Sequence, residues 1–128
     1  MITSRRKERT KACEFGKQER WLIYSRDRGK CIFCQSGRAD IKMPKSLFEE
    51  QIDGYMHYIP RSQGGLGISQ NGALGCHYHH TMLDNGSDRE QAKKLKEYFR
   101  EYLKSHYDGW NEEDLVYDKW RFLEKDKK

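Results

Sequence analysis

Between Tyr55 and Asp84 the chain carries four of its five histidines and one of its four cysteines, in the run YMHYIPRSQGGLGISQNGALGCHYHHTMLD. A Cys-x-x-Cys pair, Cys31 and Cys34, stands upstream. Thiols and imidazoles grouped this way in a polar chain suit metal binding, and their spacing divides into two jobs. Cys31-x-x-Cys34 and Cys76-x-x-His79 supply two ligands each, the pattern of a closed tetrahedral zinc site that ties the N-terminal part of the chain to its centre. His77, adjacent to Cys76, is awkwardly spaced to share that ion, whereas His79 follows by nearly a helical turn. His57, Asn71 and His80 form a second group. An imidazole has an ordinary pKa of about 6.5, which suits acid–base work near neutral pH. Cys13 lies far from any ligand spacing and reads as a free thiol on a helix.

These side chains must be positioned by a small fold. The 128 residues amount to one domain, and hydrophobic and charged residues each make up 35% of them. A core that thin for its length needs a staple, either a metal or a partner chain. No apolar run approaches the length of a membrane-spanning helix, and the basic N-terminal stretch lacks the apolar region of a secretory signal. The expectation is a cytoplasmic protein with no membrane partner. Its thiols would then stay reduced, which favours metal ligation over disulfides.

The net charge of +5 is uneven. Residues 1–30 hold 10 Lys or Arg against 4 acids, residues 31–86 hold 4 against 5, and residues 87–128 balance at 11 each. A basic arm before a near-neutral body suits a polyanion such as DNA or RNA. Arg5, Arg6, Lys7 and Arg9 can track phosphates, contacts that carry no direct sequence information.

The spacing predicts a helix over residues 6–26, broken by Arg28-Gly29 before the tight Cys31–Cys34 loop. Residues 35–50 are weakly patterned around Pro44 and read as loop with one short helical turn. Ile52 to Ile59, bounded by Pro60, predicts a strand. A Gly-, Ser- and Asn-rich loop follows, then a short strand at Ala73-Leu74-Gly75 and a helix over Cys76 to Leu83. Ser87 and Glu90 form a capping-box pattern ahead of a stripe of Ala92, Leu95, Tyr98, Phe99, Tyr102 and Leu103. Asn111 is placed to cap a last helix with Leu115, Val116, Trp120 and Leu123 as its apolar stripe.

At His57-Tyr-Ile-Pro-Arg-Ser62, Gly64-Gly65, Asn71-Gly-Ala-Leu74 and Cys76-His-Tyr-His-His80 the chain resembles the HNH endonuclease family, over roughly residues 20–85. The C-terminal part looks like the small HNH proteins of phages and mobile elements. The resemblance implies an α+β fold with a ββα-metal core, stapled by structural zinc on Cys31, Cys34, Cys76 and His79. A basic arm over residues 1–19 would precede that core, and helices over residues 87–124 would follow it. His57 would be the general base that deprotonates water, and Asn71 would hold the loop so that His57 faces the phosphate. His80 would bind a catalytic Mg²⁺, Mn²⁺ or Ni²⁺, and Arg61 would meet a phosphate or the charge of the transition state.

Two positions depart from the family pattern. His79 stands for the second thiolate of the usual Cys-x-x-Cys, an exchange that zinc tolerates. Met56 stands before the base, where many members carry an Asp or His that binds the catalytic metal, and a thioether is a poor ligand for a hard cation. Asp84, four residues after His80, is the expected replacement ligand, with Asn85 and Asp53 as weaker candidates.

Three functions stay open. The first is a DNA endonuclease that nicks as a monomer or weak dimer, with double-strand breaks needing a dimer or sequential cuts. The second is a zinc-stapled nucleic-acid-binding module whose catalytic site has decayed. The third is an accessory nuclease working with a phage DNA-packaging terminase.

Overall fold

A computed structural model describes the chain over residues 2–117, and its side chains from Glu8 onward. Two helices, α1 (Ile2–Cys13) and α2 (Lys17–Asp27), stand where the spacing predicts one. The break falls at Glu14-Phe15-Gly16, and Gly16 caps α2 in an extended conformation. Glycine is a poor helix former. Leaving the helix also lets Phe15 turn its ring against Tyr55 and His57, at centroid distances of 6.1 and 4.2 Å. At its other end α2 stops as expected. Arg28 and Gly29 adopt left-handed angles (φ 60° and 68°), and the Arg28 and Gly29 N–H groups donate back to Ser25 and Tyr24.

The last turn of α2 anchors the sheet. Asp27 is fully buried, pairs with Arg26 at 2.7 Å and accepts a hydrogen bond from the Leu74 N–H at 2.9 Å. Arg26 also donates to the carbonyls of Ser69 (2.8 Å) and Gly72 (2.6 Å). Charges held inside a protein need such additional hydrogen bonds to offset their desolvation.

After a single helical turn, α3 (Leu47–Glu50), strand β1 (Ile52–His57) pairs antiparallel with β2 (Gly72–Cys76). The register sets Ile52 opposite Cys76 and His57 opposite Gly72, with an irregularity between Ile52 and Gly54. β1 ends two residues before Ile59 because the partners change there. The Tyr58 N–H donates to the Asn71 carbonyl, and the Ile59 N–H donates to the Asn71 side chain. Pro60 has no N–H with which to extend the ladder. In the turn beyond, Gly65 passes so close to Ile59 that a Cβ there would lie 1.7 Å from the Ile59 carbonyl oxygen.

Helix α4 (His77–Asn85) follows β2 directly, with Cys76 as its N-cap. Helix α5 (Arg89–His106) buries Leu95, Phe99 and Leu103 along one face, as its apolar stripe predicts. Its cap is Asp88, which accepts from the Gln91 N–H, and not Ser87. Asn111 does cap, accepting from the Glu113 N–H, but the element it opens is a 3-10 turn over Glu112–Leu115. Val116 then leaves helical geometry to bridge Gly65. Trp120 and Leu123 lie outside the described residues.

The result is an α+β fold with a two-stranded antiparallel sheet. Its core gathers Ile32, Phe33, Met56, Tyr58, Leu95, Phe99, Leu103 and Leu115. Among the described residues, no helix is long and apolar enough to cross a membrane.

Candidate metal centre and the neighbouring cleft

Cys31 and Cys34 arrive on the turn after α2, and Cys76 and His79 on the first turn of α4. Their four donor atoms all lie within 4.8 Å of one another. Nδ1 of His79 is 3.5 Å from Cys31 Sγ, 3.6 Å from Cys34 Sγ and 3.2 Å from Cys76 Sγ. Cys34 Sγ and Cys76 Sγ stand 3.7 Å apart. With Zn–S bonds of about 2.3 Å and Zn–N bonds of about 2.0 Å, the edges of a zinc tetrahedron come to about 3.6–3.8 Å, so the set can hold a zinc ion. The tautomer agrees. His79 Nε2 donates to the Lys42 carbonyl at 2.7 Å, which leaves the Nδ1 lone pair for the ion.

The thiols themselves ask for a cation. Cys31 is pushed up to about 11, first by its hydrogen bond with Cys34, and Cys76 to about 12, first by its hydrogen bond with Cys31. Burial adds to both shifts. Sulfurs this crowded give up their protons only when a positive charge joins them.

The second group is held by a different set of contacts. His57 ends β1, half-buried, with Nε2 2.7 Å from the Cys13 carbonyl at the end of α1. That carbonyl can only accept, so Nε2 carries the hydrogen and Nδ1 carries the lone pair. The His57 pKa is lowered from 6.5, chiefly by burial, with Arg61 and His80 also opposing its charge. The Cys13 carbonyl and the Asp84 carboxylate act in the other direction. Cys13, expected as a free thiol on a helix, is a buried free thiol at the helix end.

Asn71 is fully buried. Its Oδ1 accepts from the Ile59 N–H at 2.8 Å, and its Nδ2 donates to the carbonyls of Leu66 (2.8 Å) and Ile59 (3.2 Å). These bonds close the loop between the strands on itself and fix the end of β1. Arg61 is exposed and faces Glu14 at 3.5 Å.

His80 sits between two carboxylates. Asp84 Oδ2 lies 3.0 Å from Nε2, the approach expected of residues four apart on α4. Asp53 Oδ2 lies 3.2 Å from Nδ1, yet that buried nitrogen makes no hydrogen bond. Asp53 also approaches His77 Nδ1, at 3.6 Å. Met56 is buried against Gly75, where a Cβ would meet its sulfur at 2.3 Å, so the residue before His57 points into the core.

His57 and Asp84 line one cleft of about 380 Å³, together with Pro60, Leu83 and a face of α5 that carries Arg89, Lys93 and Lys96. Sequence spacing assigns those three cations no role, although their positions on α5 put them on one helical face. His77, awkwardly spaced for the zinc, shares Asp53 with His80, a contact made only when β1 lies beside α4. A broader hollow of about 550 Å³ beside Cys31 and Cys34, lined by Met43, Pro44 and Ile52, holds none of the second group. Set against known protein families, curated proteins and solved structures, the chain matches none of them.

Proposed function

We propose that this chain is a zinc-stapled, metal-dependent endonuclease of the HNH type, with a ββα-metal core, that hydrolyses DNA phosphodiester bonds and nicks one strand per active site. The observation that carries this reading is the cleft shared by His57 and Asp84, with the Asp84 carboxylate against His80.

His57 is prepared as a base. The Cys13 carbonyl holds the Nε2–H, burial favours the neutral ring, and Phe15 packs on its face. Nδ1 therefore takes the proton from water attacking the phosphorus. Asn71 keeps the loop closed so that the end of β1 does not drift. Arg61, whose charge reaches His57, meets the phosphate charge. His80 Nε2 and Asp84 fit a divalent ion, and Asp53 lies beside the opposite edge of the ring. When bound there, Mg²⁺, Mn²⁺ or Ni²⁺ supplies polarisation of the phosphate and stabilisation of the leaving 3′ oxygen.

Met56 favours a second reading, a nucleic-acid-binding module whose site has lost its chemistry, because a buried thioether adds no ligand. A supercoiled plasmid incubated with each of the three ions separates the two. The nuclease reading expects metal-dependent relaxation by the wild type and its loss in His57→Ala. Retention of the plasmid in gel shift without relaxation under any ion would establish the module instead.

A further inference from the structure

The cations of α5 are not all alike. Arg100 faces Glu112 at 3.7 Å. Arg89 and Lys93, which line the cleft, pair with no acid among the described residues. With Lys96 they fall four and seven residues apart, so one face of α5 presents them together opposite His57.

Lys96 differs from its neighbours in being partly buried. Its Nζ donates to the Tyr58 carbonyl and lies 4.3 Å from the centre of the Tyr58 ring. An ammonium has three donors, so two remain for a ligand. Burial works against its charge, and Asp84 and Glu112 act in the other direction. Asp84 is the carboxylate that lines the cleft, and an ion bound between it and His80 would cancel its repulsion of an anion.

We propose that Arg89, Lys93 and Lys96 form a phosphodiester-binding wall, which seats the phosphates flanking the scissile one while His57 and Asp84 face them from the other side of the cleft. The wall gives the nucleic acid a direction of entry, between the end of α4 and the start of α5. It rests on the nuclease reading for the identity of its ligand, a nucleic-acid strand, but not for its charge.

The test measures binding without cleavage. A fluorescein-labelled duplex oligonucleotide is titrated with zinc-loaded wild type and Arg89→Ala/Lys93→Ala without added divalent ions, at several salt concentrations. A third protein, Lys45→Ala/Lys104→Ala, removes the same charge from exposed positions outside the cleft. Inorganic phosphate is added as a competitor in a separate arm. The cleft variant is expected to bind about tenfold more weakly at low salt, and its plot of log Kd against log salt to lose about two units of slope. The control pair should stay close to wild type. Equal losses in the cleft variant and the control pair, or none in either, would overturn the wall. Competition by millimolar phosphate as effective as by unlabelled duplex would replace the strand with a small anion as ligand and overturn the proposal as stated. A wild type that never cuts, combined with the expected loss in the cleft variant, would sink the nuclease reading and leave the wall standing.

Discussion

At the scale of single residues, His57 and Asn71 divide chemistry from support. The His57 ring prefers to be neutral in the fold, and burial is the main cause. Its folded pKa lies below that of the unfolded chain, so its contribution to stability is complete above pH 6.5 and is lost as pH falls below that value toward the folded pKa. In the proposed nuclease the same shift would set the acid limb of the nicking rate. The midpoint of that limb should lie below pH 6.5 and match the His57 titration followed by NMR in the free protein. A midpoint on the alkaline side would assign the proton transfer to another group.

Asn71 makes no such prediction, because its polar atoms are all committed to backbone. Asn71→Ala leaves the Ile59 N–H and the Leu66 carbonyl buried without that partner, and should destabilise the fold by about 2–3 kcal/mol in urea unfolding. Asn71→Asp keeps the acceptor for Ile59 but sets a carboxylate oxygen against the Leu66 and Ile59 carbonyls in a buried site, so at neutral pH it should cost at least as much as Asn71→Ala. His57→Ala removes no comparable network. Its loss of activity should therefore come with little loss of stability, and that contrast separates the two roles.

Secondary-structure elements are held at two seams. The first is the Cys31, Cys34, Cys76 and His79 cluster, which joins the end of α2 to β2 and α4. Zinc removal by a strong chelator, or Cys76→Ser, should lower the melting temperature by well over about 10 °C, since structural zinc contributes folding free energy directly. Metal analysis should find one zinc per chain. The second seam joins α1 to the loop between the strands. The Gly67 N–H donates to the Ala12 carbonyl at 2.9 Å, and a Cβ on Gly67 would lie 2.1 Å from the Glu14 carbonyl oxygen. Gly67→Ala should displace the end of α1, loosen the Cys13 carbonyl from His57 and cost about 1–3 kcal/mol of stability. Nicking should fall while zinc content is unchanged.

Much of this architecture is legible in the residues. The Cx2C and Cx2H pairs state the four donors outright, and the α5 stripe shows in its spacing. The break between α1 and α2 is not legible, because it depends on Phe15 finding Tyr55 and His57 across the fold. The cap shift from Ser87 to Asp88 depends on the Lys42 ammonium 2.9 Å from Asp88, a contact 46 residues away in sequence. The carbonyl that sets the His57 tautomer comes from α1 and has no signature in sequence at all.

For the molecule as a whole, the proposed binding to nucleic acid should be sensitive to salt, given a net charge of +5 and the cations that line the cleft. A tightly held structural zinc and an exchangeable ion needed for cutting should be separable in one preparation. The most direct measurement is plasmid nicking by zinc-loaded wild type and His80→Ala across a Mn²⁺ titration, with bound zinc quantified in the same samples. Two ions with separate jobs predict one zinc per chain in both proteins, saturable nicking by the wild type, and a rate at least about 100-fold lower for His80→Ala at the same Mn²⁺ concentration. Equal rates and equal Mn²⁺ dependence in the two proteins would contradict it.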